Sequence, residues 1–379
     1  MHVVVIGGGI VGASSAWSLA LRGITVTLLE QLGPGHPFGA SHGTSRIFRC
    51  GYGNDTYTAL AAHAGRLWDE LDAVSGEEPV LTRTGAVDHG PCTATGSRAR
   101  SLARVGCDSE ILEPRAAEKR WSGMRFDSSV LHHRDAGRLH ADRALASIVA
   151  RARERGADVH HNRPVRAVRD GSRGLEVVTD SGVVHADRLV IAAGAWSGAF
   201  VAALPETERA GIDLPELRTT QEQPAHFVPT AQGDHWPSFV HHAGGALDEC
   251  DHAGGIYGLS SEDGIKIGEH ATGPEVTPAT RDFCPDPATE QRLREYAHRW
   301  LPGVDPTSAR SLTCLYTCTP DHDFVIDRGA RVTVAAGFSG HGFKFAPAVG
   351  EYVADLTLGE STLPVAGLSQ LFGFGSHVR

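Results

Sequence analysis

The stretch His2-Val3-Val4-Val5-Ile6-Gly7-Gly8-Gly9-Ile10-Val11-Gly12 decides the fold. Its first five residues are mostly apolar and β-branched, as a buried strand requires, and the glycines that follow break the run before a small-residue helix from about Val11 to Arg22. A second apolar run, Thr25 to Leu29, completes a βαβ unit that ends at Glu30. Gly7, Gly9 and Gly12 stand in the G-x-G-x-x-G spacing, with Ile10 and Val11 opening the helix. Glycines there let backbone amides approach a pyrophosphate at the helix N-terminus, and the acidic residue after the second strand is placed to bind the ribose hydroxyls. The expected ligand is a dinucleotide. The glycine turn alone does not say which one.

Working outward, Gln31 to Ser45 is rich in Gly, Pro, His and Ser, too polar and broken for a regular element, and reads as a ligand-binding loop. A helix is expected from Tyr57 to Ala73, with Leu60, Ala61, Ala64, Leu67, Trp68 and Leu71 on one face. Arg83 to Leu139 suggests short strands and turns, and Asp142 to Arg155 a helix closed by Gly156. Val159 to Asp187 alternates like hairpins and is followed by a buried strand, Arg188 to Ala193. Short strands resume after Leu214, a helix is expected at Thr289 to Trp300, and strand, turn and helix return from Thr313. The pattern predicts an α/β fold: a dinucleotide domain assembled from separated segments (1–80, 141–213 and 308–379), interrupted by a mostly β substrate domain (81–140 and 214–307).

A chain of 379 residues is long enough for two lobes with sizeable cores. No apolar run reaches the roughly 18 residues of a membrane helix. A net charge of -10 disfavours nucleic acid and anionic membrane surfaces as partners, leaving a small molecule. The N-terminus carries no secretory pattern, so a cytoplasmic protein is expected. Seven cysteines without a CxxC pair suggest neither a disulfide framework nor a zinc site, and no metal is expected. Only Lys119, Lys266 and Lys344 are lysine among 35 basic residues, so a lysine in an apolar or glycine-rich context stands out.

Three later segments add chemistry. Val190 to Trp196 is an apolar strand ending in a small-residue turn, where Gly194 and Trp196 could lie against a dinucleotide; a plain core strand reads equally well. Thr313-Cys314-Leu315-Tyr316-Thr317-Cys318, if extended, puts Cys314, Tyr316 and Cys318 on one face. Gly337-Phe338-Ser339-Gly340-His341-Gly342-Phe343-Lys344-Phe345 sets a scarce lysine between aromatics in flexible backbone, implying main chain packed against a flat ligand.

Together the glycine turn with Glu30, Ser41-His42-Gly43-Thr44-Ser45-Arg46-Ile47-Phe48-Arg49, Gly264-Ile265-Lys266-Ile267-Gly268 with His270, Cys314-Leu315-Tyr316-Thr317 and Gly337 to Phe345 resemble, nearly end to end, the monomeric sarcosine oxidase and N-methyltryptophan oxidase family. The resemblance implies a Rossmann-type FAD domain and a monomer that oxidises an amino acid at the carbon beside nitrogen, with oxygen as acceptor. It implies FAD bound through a thioether at Cys314, Lys266 over the flavin promoting the reaction with oxygen, and Arg49 and Lys344 holding the substrate carboxylate. It places Ser41, His42, Thr44 and Arg46 along the cofactor, Gly337, Gly340, Gly342, Phe343 and Lys344 beside it, and Tyr257, His270 and Tyr316 around the substrate. Cys318 has no counterpart there and reads as packing. Glu269, and a pocket-covering segment from Phe239 to Asp251 with His241, His242, Gly244 and Gly245, depart from the family pattern and bear on substrate identity. A secondary amino acid oxidase is the leading reading; a flavin dehydrogenase serving an electron carrier, or an oxidase of primary or glycated amino acids, is the alternative.

Overall fold

The computed structural model describes residues 1–75, 78–91, 94–230, 236–242 and 255–377. Its first sheet has six strands in the order Val325–Arg328, Val332–Ala336, Arg188–Ile191, His2–Ile6, Thr25–Leu29 and Asp158–His160. All neighbours are parallel except the edge strand Val325–Arg328. The central strands are mostly apolar because both faces are covered, one by helices and the other by the strands of segment 165–186, and Val3, Val4, Val5, Leu28, Leu189 and Val190 are essentially fully buried. Helix Ile10–Leu21 packs against helices Ala141–Glu154 and Ala346–Leu358. The small residues set that packing: a Cβ at Gly350 would lie 2.6 Å from the backbone of Ser14.

The second large sheet has eight strands, in the order Arg310–Ser311, Ala225–Phe227, Gly264–Glu269, Ile256–Ser261, Ser238–His241, Ala86–His89, Val130–His133 and Ser109–Leu112. Its own core contains Phe227, Phe239, Ile265 and Ile267. The expected hairpins are present as Val165–Gly171, Gly174–Thr179 and Gly182–Ala186. Cys314–Cys318 pairs antiparallel with Arg218–Glu222, which sets Cys314 opposite Glu222.

Several expectations shift. The strand after Asp187 stops at Ile191, where the chain turns into a short 3₁₀ segment, Gly194–Trp196. The helix expected from Tyr57 spans Asp55–Ser75, and the one expected from Thr289 begins at Pro287. Two helices, Thr95–Arg104 and Pro114–Arg120, lie where only strands and turns were expected. The first buries only Arg98, Ser101 and Leu102, too narrow an apolar face to show as periodicity. Phe239 to His241 belongs to an interior strand of the large sheet, Ser238–His241, which contributes Val240 to the cavity wall; Gly244, Gly245 and the rest of that stretch to Asp251 lie outside the described residues.

Candidate active site

One cavity of about 850 Å³ runs from the glycine turn to the large sheet. At one end, Gly7 has φ +102° and its missing Cβ would meet the carbonyl oxygen of Ala192 at 2.4 Å, so only glycine lets the two strands approach. A Cβ at Gly12 would sit 1.9 Å from the Gly7 oxygen. Gly12 therefore serves helix-to-strand packing and does not line the cavity, whereas Gly7, Gly9, Ile10 and Val11 do. Buried Glu30 accepts hydrogen bonds from the Gly8 amide at 2.7 Å and the Leu32 amide at 2.8 Å, fixing its carboxylate beside the turn. The Ser41 hydroxyl accepts from the Ile10 amide at 3.0 Å.

Segment 31–45 has no regular secondary structure but is tied down. The Arg46 guanidinium donates to the carbonyls of Ala40, His42 and Ser45, and the Gly43 amide donates to Asp142. His42 faces the cavity; burial, then the charges of Arg46, Arg281 and Lys266, push its pKa down to about 4, so the ring is neutral. Thr44 lies off the cavity and donates to Asp263 at 2.5 Å.

In the middle stand Lys266 and Cys314. Strand alternation sends Ile265 and Ile267 into the sheet core and Lys266 to the cavity face, where it is only 7% exposed. Burial, and then Arg46, push its pKa down to about 7, while Cys314 and Asp263 work the other way. Cys314 is half-buried on the cavity wall, its thiol raised by burial against the opposing pull of Arg46 and Lys266. Cys318 is buried off the cavity.

Beyond them, Tyr257, Tyr316 and His270 meet. The two phenols interact, burial raises both, and the His270 ring centroid is 5.3 Å from that of Tyr316. Gly268 faces Tyr257, and a Cβ there would lie 2.7 Å from that ring. The C-terminal glycine loop is closely packed, though not in the expected way. A Cβ at Gly340 would strike the Tyr316 ring at 2.1 Å and one at Gly337 would meet Thr319 at 2.5 Å, so these missing side chains make room for protein. Gly337, Gly340, Gly342 and Phe343 still line the cavity, as do Gly194 and Trp196.

Arg49 and Lys344, 295 positions apart (344 − 49), converge on Tyr52. The Arg49 guanidinium lies 4.3 Å from the Tyr52 ring centroid, and the Lys344 ammonium donates to the Tyr52 hydroxyl at 2.8 Å and to the His341 carbonyl at 2.7 Å. Burial, then Arg49, hold the Lys344 pKa well below that of an ordinary lysine. An anion entering between them would restore the charged form.

Sequence reading did not anticipate the partner of Arg49. Asp88, fully buried, stands 3.3 Å from the guanidinium, 2.9 Å from His242 Nε2 and 3.4 Å from His133 Nε2. Burial alone would raise the Asp88 carboxyl, but Arg49, His133 and His242 hold it well below the usual carboxylate range. The available signal was a charge inside an otherwise buried strand, Ala86-Val87-Asp88-His89. Tyr52 was likewise missed. Glu269, expected to bear on the substrate, instead pairs with Arg292 at 2.7 Å and does not line the cavity.

Among the described residues no helix is long and apolar enough to cross a membrane. The family model for FAD dependent oxidoreductases matches residues 2–356. Monomeric sarcosine oxidase of Streptomyces avermitilis is 32% identical, the match covering 97% of this chain and 96% of that protein. N-methyl-L-tryptophan oxidase of Salmonella newport is 30% identical over 95% of each. L-proline dehydrogenase from P. horikoshii superposes with a TM-score of 0.80 at 24% identity, covering 96% of this chain and 95% of that one, a likeness of fold. With the glycine turn, Glu30 and the long cavity already in place, this match over nearly the whole sequence shows that the chain belongs to the FAD dependent oxidoreductase family and is a flavoprotein oxidoreductase.

Proposed function

We propose that this chain oxidises a secondary amino acid, N-methylated or ring-closed, with FAD attached through Cys314 and oxygen as electron acceptor. The observation that carries the reading is the convergence of Arg49 and Lys344 on Tyr52 in the same cavity as Lys266 and Cys314. Two basic groups meeting in a buried place suit the carboxylate of an amino acid. The cavity also suits FAD. The glycine turn leaves room at the helix start, and buried polar atoms on the cavity wall, His36 Nδ1, His42 Nε2 and Ser45 Oγ, have no hydrogen-bond partner among the described residues.

When bound, FAD supplies the hydride acceptor and passes the electrons on to oxygen. The protein's part is to hold and charge the reactants. Arg49 and Lys344 would fix the substrate carboxylate, while Tyr257, Tyr316 and His270 form the wall on which the amine and side chain rest. Lys266 would supply the positive charge that favours electron transfer to oxygen. The free amine must give up its ammonium proton before hydride leaves the adjacent carbon, and His270, on the cavity wall, is a candidate to assist. The resulting imine is hydrolysed by water. The reading includes a monomer, consistent with a cavity built from one chain, and a cytoplasmic setting, consistent with the five described cysteines being free.

The experiment is a peroxide-release screen over sarcosine, N-methyltryptophan, proline and pipecolate. Turnover with peroxide is expected for at least one, with sarcosine poorer than a bulkier relative. Flavin reduction without peroxide in air would point instead to a dehydrogenase, and no oxidation of any secondary amino acid would refute the substrate class.

The covalent link is tested separately. Acid-precipitated protein should stay yellow, and the Cys314→Ala protein should release its flavin into the supernatant or lack it. Free flavin from the unmodified protein would exclude the thioether.

A further inference from the structure

We propose that His89, His241 and Asp127 form a binding site for a divalent transition-metal ion, Zn²⁺ being the best match, outside the flavin cavity. The strands Ala86–His89 and Ser238–His241 run parallel with His89 in register with His241, so the two imidazoles emerge side by side on one face. They stack with centroids 4.1 Å apart at 27°. Asp127, on the segment before strand Val130–His133, reaches over both: its oxygens lie 3.8 Å from His89 Nδ1 and 3.7 Å from His241 Nε2. All three ligand atoms fall within 4.8 Å of one another, and none of these residues lines the flavin cavity.

The distances separate the readings. At 3.7 to 3.8 Å the carboxylate makes no hydrogen bond with either ring. Around zinc, with ligand bonds of about 2.0 to 2.2 Å, tetrahedral geometry puts neighbouring ligand atoms roughly 3.3 Å apart, so the carboxylate contacts would shorten by about half an ångström and the widest pair, within 4.8 Å here, by up to about 1.5 Å.

The ring atoms are also prepared. His89 is 1% exposed, and its Nδ1, directed at the carboxylate, has no hydrogen-bond partner among the described residues. A buried donor or acceptor left unpaired in this way is costly, and an ion would satisfy it. His241 turns Nδ1 to the Tyr296 hydroxyl at 3.1 Å, which orients the ring and leaves Nε2 for a metal, the outer-shell arrangement usual for histidine ligands. Phe126 and Trp300 pack edge-on against the two rings. Asp127 is exposed, so the third ligand lies at the surface where an ion can enter and where water can complete the coordination. Two imidazoles and one carboxylate select a borderline ion and not Ca²⁺ or Mg²⁺, which prefer oxygen ligands.

Zn²⁺ titrated into chelator-treated holoenzyme, in competition with a chromophoric chelator, is the test. One equivalent should bind tightly, Asp127→Asn should weaken it by about tenfold or more, and His241→Ala should abolish it while the flavin spectrum is retained. Asp127 is exposed, so its substitution keeps the test readable even if the His241 variant fails to fold. No tight equivalent would overturn the proposal outright, and one that survives Asp127→Asn unchanged would overturn it by showing that other residues do the binding.

Discussion

Replacing Lys266 by methionine is expected to slow reoxidation by oxygen on the order of a hundred- to a thousandfold, while anaerobic flavin reduction by substrate changes far less. The side chain is buried on the cavity wall, and no acid is ion-paired to it among the described contacts. A charge in such a place acts strongly on charge developing beside it, because little water screens it. The depressed pKa gives a second readout with a definite sign. The ammonium is held below about 7 and lost above it, so the oxygen reaction should slow as pH rises from neutral towards the ordinary lysine range. The methionine variant should be slow and flat with pH over the same interval. Stopped-flow mixing of reduced enzyme with oxygen measures both, and equal losses in the two half-reactions would refute the role.

The other large effect concerns the carboxylate. Loss of one charge-assisted contact should cost about 1.5 to 3 kcal/mol, or about ten- to a hundredfold in affinity. Arg49→Ala should therefore weaken a small carboxylate inhibitor by that factor. The same substitution strands the Asp88 carboxylate in the interior without its guanidinium, and breaking a buried pair costs about 3 to 5 kcal/mol of stability. Arg49→Lys separates the two effects. It keeps a positive charge near Asp88 but loses the planar fork, so it should fold better than the alanine variant and still bind the carboxylate weakly. Inhibitor titrations followed by flavin absorbance, alongside thermal melts, decide this. An unchanged inhibitor affinity in a folded Arg49→Ala protein would remove Arg49 from the carboxylate site.

Much of this architecture is legible in the sequence because its signals are local. The glycine turn, the apolar strands around it and the acidic residue at their end each follow from short-range sterics. The same holds for helix Ala141–Glu154, which opens with acidic Asp142 and ends at Gly156, with φ +90°. Helix Pro287–Trp300 was read two residues short, though Asp286 caps it by accepting from the Ala288 and Thr289 amides and Pro287 fits the first turn.

What was not legible depends on contacts between distant segments. Nothing near Arg49 in sequence announces Asp88, which reaches it from another sheet. The glycines of the C-terminal loop signalled close packing correctly but not its partner, because Tyr316 arrives on a different strand. Glu269 looked like a substrate determinant until Arg292, on a later helix, took up its charge. Many of the residues that line the cavity could be named from motifs, but Tyr52 could not, and Gly12 and Thr44, named from motifs, lie off it. Which of them already have partners required the fold.

The central claim is that a buried pair of basic groups selects an amino acid for oxidation by the flavin. It is tested most directly by anaerobic flavin reduction, comparing a secondary amino acid with the amine that lacks only its carboxylate, such as N-methyltryptophan against N-methyltryptamine or pipecolate against piperidine. The amino acid should bleach the flavin at concentrations at least about tenfold below those needed for the amine, since the amine leaves Arg49 and Lys344 without the anion they converge on. Equal reduction by the acid and by its decarboxylated partner would contradict the account.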